Sequence, residues 1–306
     1  MPAEFHQLTW DQSLEDDCRQ LVRLAVREDL DRHMDLTTVA LVGAQSEGRA
    51  VVVARQHGVA CGLHAIPLAL DEMETAVRWS PQLQDGDAVE PATVLGTLAG
   101  PARDLLTAER LLLNLVGRLS GVATLTRQYV QEVAGTRARI YDTRKTTPGW
   151  RRLEKYAVHC GGGRNHRTGL FDAVLIKDNH LAHVAHADQQ SLSPAQAVEL
   201  VRQRLREMLP ADANATIVEV EVDSLDQLSQ VLPTRPHLVL LDNMSLAQLR
   251  EAVALRDATG ADVQLEASGG VNLNTVADIA RTGVDRISVG ALTHSATALD
   301  VAMDWG

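Results

Sequence analysis

Six short apolar runs recur through the second half of the chain: ARIYDTR, DAVLIKDNH, TIVEVEVD, HLVLLDNM, VQLEASGG and DRISVGAL. Helical patterns separate the later ones, in SPAQAVELVRQRLREML, SLDQLSQVL, SLAQLREAVALRDATG and NLNTVADIARTG. Continuous apolar strands alternating with amphipathic helices predict a parallel sheet buried under helices. This many units favours a β/α barrel over an open doubly wound sheet. Nearly every run also ends in polar residues: Asp142 and Arg144, Lys177 and Asp178, Glu221 and Asp223, Asp242, Glu266, then Ser288 and Gly290. Barrel enzymes carry their chemistry on the C-terminal ends of the strands, so these residues are expected to line one shared site.

The first third is mixed. LEDDCRQLVRLAVREDL has helical spacing, with Leu21, Leu24 and Ala25 on one face. GRAVVVARQHGVACG and AVRWSPQLQDGDAVEPATVLGTLAG are strand-rich and cut by Gly and Pro, as in an antiparallel sheet. A long helical pattern then runs from Arg103 to Val133, with Gly117 and Gly121 marking close packing or a break.

Charge sharpens the expectation. The formal net charge is −11, which argues against a general nucleic-acid binder. Yet DTRKTTPGWRRLEKYAVHCGGGRNHR, residues 142–167, gathers Arg144, Lys145, Arg164, His166 and Arg167. With Lys177, the cations at or just after strand ends suit a compact polyanion, for which arginine offers a planar fork and lysine a point charge. Arg151, Arg152 and Lys155 lie on a predicted helix and read as its solvated face. The triple glycine, Gly161 to Gly163, lets backbone approach a ligand closely, although its spacing is not a dinucleotide fingerprint.

Glu221 and Asp242 end successive strands. Such a pair can hold ribose hydroxyls, ligate Mg²⁺ or stabilise an oxocarbenium-like centre, or it can form structural salt bridges. Glu219 shares the face of Glu221. EASGGV and SVGALTHS free backbone N–H groups after the last strands, a habitual phosphate position. A phosphate, a ribose-like polyol and a further dense negative charge together describe phosphoribosyl pyrophosphate meeting an acidic acceptor.

Cys18, Cys61 and Cys160 are far apart without CxxC spacing, which suits a reducing compartment. No basic n-region followed by an apolar stretch opens the chain, and no run is long and apolar enough to span a bilayer. A cytoplasmic protein, without nucleic acid or membrane as partner, is expected.

The stretch from Asp142 to His180, together with VEVEVDSLDQL, LLDNMS, LEASGGV and ISVGALTHS, closely resembles the quinolinate phosphoribosyltransferase family. REDLDRHMDLTT and TAERLLLNLVGRLSGVAT extend the likeness upstream to about residue 27. The resemblance implies an N-terminal α/β sandwich domain, an open, incomplete TIM-like β/α barrel, and assembly as a homodimer or a multiple of it. Residues 1–115, joined by the tail 296–306, are expected to form the first domain and 116–295 the second. It also implies the conversion of quinolinate and phosphoribosyl pyrophosphate to nicotinate mononucleotide, pyrophosphate and CO₂, with Mg²⁺ and no organic cofactor.

By the same resemblance Arg144, His166, Arg167 and Lys177 meet the quinolinate carboxylates, and Lys145 lies between quinolinate and the pyrophosphoryl group. Arg110 is contributed by a neighbouring subunit. Glu221 and Asp242 serve the ribose and the metal, and Ser268, Gly269, Gly290 and His294 the 5′-phosphate. A related enzyme with another acceptor, in a molybdenum-linked branch, is one alternative; a non-catalytic phosphate-binding barrel is a second. DRHMDLTT lacks the expected glycine-rich turn, Trp150 replaces a smaller apolar residue, and residues 181–196 are longer than in compact relatives.

Overall fold

The computed structural model describes residues 4–188 and 192–306. In chain order the first elements are α1 (Gln12–Leu30), α2 (Leu36–Leu41), β1 (Glu47–Ala54), β2 (Gly58–Val59), α3 (Ala65–Glu72), β3 (Arg78–Pro81), β4 (Ala88–Val89), β5 (Val94–Pro101) and α4 (Ala102–Glu132). Then come β6 (Arg139–Tyr141), α5 (Arg151–Cys160), β7 (Val174–Ile176), α6 (Asp178–Asp188), α7 (Pro194–Met208), β8 (Val218–Val222) and α8 (Leu225–Val231). The chain continues through β9 (Leu238–Asp242), α9 (Leu246–Thr259), β10 (Gln264–Ser268), α10 (Val276–Ala280), β11 (Arg286–Ser288), α11 (Ala291–His294) and β12 (Val301–Trp305).

These elements fall into two compact units, neither continuous in sequence. One comprises residues 7–128, 145–163 and 292–306; the other 1–6, 129–144 and 164–291.

The first unit holds an antiparallel sheet in the order β12-β1-β5-β3 and the two-stranded β2-β4. β12 pairs Ala50 with Trp305 and Ala54 with Val301, so the tail is part of the sheet. α1 buries Leu14, Cys18 and Val22 and ties Arg19 and Arg23 to Glu72 at the end of α3, at 2.8 and 2.5 Å. Asp35 caps α2 by accepting from Thr38 N–H. α4 runs unbroken through Gly117 and Gly121.

In α5 the expected solvated face fails for Lys155, which is fully buried beside a fully buried Glu154. The helix packs inside its unit, and Tyr156 meets Trp10 edge-on at 5.1 Å. Glu154 accepts from Thr147 N–H at 3.0 Å, from Thr147 Oγ1 at 2.8 Å and from Arg118 Nη2 at 2.5 Å. Buried charge is tolerated where such partners surround it. The triple glycine serves packing rather than a ligand: a side chain at Gly161 or Gly163 would run into Ala123 O or Thr126 of α4.

The second unit is a parallel sheet in the order β6-β11-β10-β9-β8-β7. Its first and last strands, β6 and β7, are not paired with one another, so the barrel is open. β9, LVLLD, is buried along four of its five residues, the continuous apolar pattern of a strand covered on both faces. Capping boxes at Ser193–Gln196 and Ser245–Gln248 start α7 and α9. Ser224 rather than Asp223 caps α8, accepting from Gln227 N–H. Of the long segment 181–196, residues 181–188 continue α6, and 189–191 lie outside the described residues. Among the described residues no helix is long and apolar enough to cross a membrane.

Candidate active site at the ends of the parallel strands

The parallel unit carries Arg144, His166, Arg167, Lys177, Glu221, Asp242, Ser268, Gly269 and Gly290; Arg110, Lys145 and His294 belong to the other unit. Glu221, Asp242 and Ser268 stand at or next to the C-terminal ends of β8, β9 and β10, and Asp242 is in register with Ser268. Lys177 follows β7 directly, and its Nζ pairs with Glu221. Its side chain stays 42% exposed, so it can exchange this carboxylate for a substrate's.

His166 and Arg167 are expected at a strand end, but in sequence they precede β7 by several residues. A bridge brings them in. Arg164 pairs with Tyr141, its N–H donating to Ile140 O at 2.8 Å while Asp142 N–H donates to Arg164 O at 3.0 Å. Asp142, fully buried, then accepts from Asn165 Nδ2 at 2.7 Å and His166 N–H at 2.9 Å. The tetrapeptide is thereby laid against the end of β6.

Arg167 is 6% exposed and donates to Ala173 O at 3.0 Å. Burial, then the neighbouring Arg144 guanidinium, hold its pKa below the usual arginine value. Two neighbouring positive charges are suited to an anion that both can grip.

Below this layer lies a second one, in which Glu219 was left without a role by the sequence reading and Glu266 was expected at the strand ends. Glu219 and Glu266 are fully buried, one inward position below Glu221 and Ser268 on β8 and β10. His166 Nε2 lies 3.0 Å from Glu219 and 3.6 Å from Glu266. Burial, followed by the charge of Glu219, pushes the Glu266 carboxyl up to about 7. His166 Nδ1 accepts Arg167 N–H at 2.8 Å, which puts the ring proton on Nε2, facing the carboxylates. Among the described residues these three are the group that could hold a metal ion. Asp142, Glu266 and Ser288, expected at the mouth, are all buried. Period-two alternation finds the inward face but not the depth along it.

At the ends of β9 and β10, Asn243 adopts φ +51° and Gly269 φ +99°, and Asn243 N–H donates to Ser268 O at 2.9 Å. A Cβ on Gly269 would overlap Asn243 Oδ1. Gly269→Ala is therefore expected to lower stability by about 1–3 kcal/mol, read by denaturant unfolding. In the other unit, Lys145 and Arg110 are exposed; Lys145 O accepts from Thr293 Oγ1 at 2.8 Å, and His294 Nδ1 is 2.7 Å from Ser295 Oγ.

An open parallel barrel with a lysine and two carboxylates at its strand ends and two arginines nearby is the architecture of an α/β enzyme of small polyanions. Residues 35–120 match the family model "Quinolinate phosphoribosyl transferase, N-terminal domain", and 122–304 match its C-terminal domain. The chain is 45% identical to nicotinate-nucleotide pyrophosphorylase [carboxylating] of Mycobacterium leprae over 291 residues, covering 94% of this chain and 97% of that one. It is 38% identical to the probable Bacillus subtilis enzyme of that name, over 88% and 87% of the two chains. The solved nicotinate-nucleotide pyrophosphorylase of Francisella tularensis superposes with a TM-score of 0.86 at 34% identity, over 99% and 100% of the chains. The protein belongs to the quinolinate phosphoribosyl transferase family.

Proposed function

We infer that the protein is a carboxylating nicotinate-nucleotide pyrophosphorylase, which joins quinolinate to phosphoribosyl pyrophosphate and releases pyrophosphate and CO₂. The observation that carries this reading is the buried Arg167 beside Arg144, with Lys177 and Glu221 paired at the neighbouring strand ends. Arg144, Arg167 and Lys177 grip the two carboxylates of quinolinate, and His166 holds Arg167 from beneath. Lys145 and His294 serve the pyrophosphoryl and 5′-phosphate groups. Ser268, Gly269 and Gly290 offer backbone and hydroxyl donors to that phosphate.

Glu221 and Asp242 face the ribose. As the C1–O bond to pyrophosphate breaks, positive charge grows at C1, and these carboxylates stabilise it by fixed electrostatics. The pyridine nitrogen then bonds to C1. The pyridinium so formed accepts the electron pair of the breaking C2–carboxylate bond, CO₂ leaves, and C2 takes a proton from solvent. Glu221 and Asp242 are also hard oxygen donors that would suit Mg²⁺; a bound ion would supply positive charge against the pyrophosphoryl group.

Assembly as a homodimer is part of the reading. Met34, Leu36, Val39 and Leu41 are exposed on and beside α2, as is Leu106 on α4, an apolar area suited to a second copy. Arg110 lies one turn from Leu106 on the same helix face, placed to enter the other subunit's site. We assign the protein to the cytoplasm, which suits its free thiols.

The test is turnover with purified protein, phosphoribosyl pyrophosphate, Mg²⁺ and either quinolinate or nicotinate. Quinolinate is expected to give nicotinate mononucleotide and CO₂. Nicotinate, which lacks the 2-carboxylate, is expected to be a very poor substrate. Comparable turnover of the two would remove the two-carboxylate pocket.

A further inference from the structure

The family match begins at residue 35, yet the parallel unit is completed from further upstream. Phe5 is 3% exposed and joins Tyr141, Ala173 and Leu238 in one apolar cluster. Its ring stacks on His166, with centroids 4.4 Å and planes 28° apart. The buried Arg286 guanidinium lies 5.3 Å from the Phe5 centroid and 4.5 Å from that of Tyr141. Glu4 accepts from Tyr141 OH at 2.9 Å and stands 3.7 Å from Arg286. Residues 4 and 5 thus form a strap with Phe5 turned inward and the exposed Glu4 fastened at Tyr141 and Arg286.

Each edge of the His166 ring is committed: Nδ1 to Arg167 N–H and Nε2 toward Glu219. Both contacts resist rotation about the Cβ–Cγ bond, and the face-on contact with Phe5 adds a third restraint on the same rotation. If the imidazole turns, Arg167 N–H loses its acceptor and the backbone that carries the Arg167 side chain is held less firmly.

We propose that Phe5 is a positioning residue of the quinolinate pocket, holding His166 in the orientation that clamps Arg167. This rests on the reading of His166 and Arg167 as quinolinate residues. It gives a binding role to a residue outside the matched domains.

Phe5→Leu keeps apolar bulk and removes the ring face. KM for quinolinate is expected to rise roughly three- to tenfold, the equivalent of one aromatic pairing. kcat and KM for phosphoribosyl pyrophosphate should change much less, since ground-state binding of one substrate is what weakens. In ¹⁵N spectra of the imidazole, the His166 Nδ1 acceptor signal should shift toward that of an exchanging ring. Phe5→Met, an unbranched filler, serves if the leucine chain does not fold, and His166→Ala is measured beside them. A raised quinolinate KM in His166→Ala with no change in either Phe5 variant overturns the strap's role and leaves the site reading standing. No change in any of the three overturns both. Equal rises in both KM values, with the His166 signals unmoved, mean general loosening and also overturn the proposal.

Discussion

Arg110→Ala and Lys145→Ala homodimers are each expected to lose nearly all activity, and mixing the two is expected to restore about a quarter of the wild-type rate. Each single variant removes one cation from every site. If Arg110 serves the other subunit's site, a mixed dimer has one site with both defects and one with neither. Random reassortment makes half the dimers mixed, and each has one intact site of two, hence a quarter. Unfolding and refolding the mixture together, with mixed dimers verified by differential tags, makes the assay decisive. Verified mixed dimers as inactive as their parents would assign Arg110 to its own subunit. The surface proposed above for the second copy is the exposed apolar set Met34, Leu36, Val39 and Leu41.

Asp242→Asn should lower kcat by roughly a hundredfold, the scale for removing one preorganised charge from a transition state. Quinolinate binding, followed by equilibrium titration, should move less than about twofold. Shape is conserved in this variant: Asp242 Oδ2 accepts from Asn243 Nδ2 at 2.8 Å, and an amide oxygen can accept the same bond. What is lost, on the proposed reading of Asp242, is charge opposite C1 of the ribose. An unchanged kcat would return Asp242 to a structural role at the turn after β9.

Much of this architecture was legible in the sequence for a physical reason. A strand covered on both faces must be apolar throughout, so HLVLLD and its counterparts stand out, and amphipathic helices between them leave few topologies. Lys177 and Asp242 were legible for the same reason, since each stands where an apolar run stops. Depth was not legible. Glu219 and Glu221 have the same parity, yet one is fully buried against His166 and the other pairs with Lys177 near solvent. Nor could local pattern show that Arg164 bridges to Tyr141, because that pairing joins residues separated by the whole of α5. Lys155 misled because a lysine on a helix is exposed in most proteins. Phe5 carried no local signal at all, since its partners come from β6, the 164–167 segment and β11.

The interleaving of the two units has a consequence for the order in which the chain can be completed. β1, carrying RAVVVA, lies between β5 and β12. β5 follows it closely, but β12 is separated from it by every strand of the parallel sheet. Until those strands have left the ribosome, one edge of β1 presents an apolar row of unpaired amides and carbonyls, the kind of edge that recruits strands from other chains. The growing protein must therefore shield or delay that edge while it builds the barrel. The pairing of Arg55 with Asp304 at 2.5 Å, beside β1 and on β12, then marks a late closure: a short segment that finishes a sheet begun about 250 residues earlier.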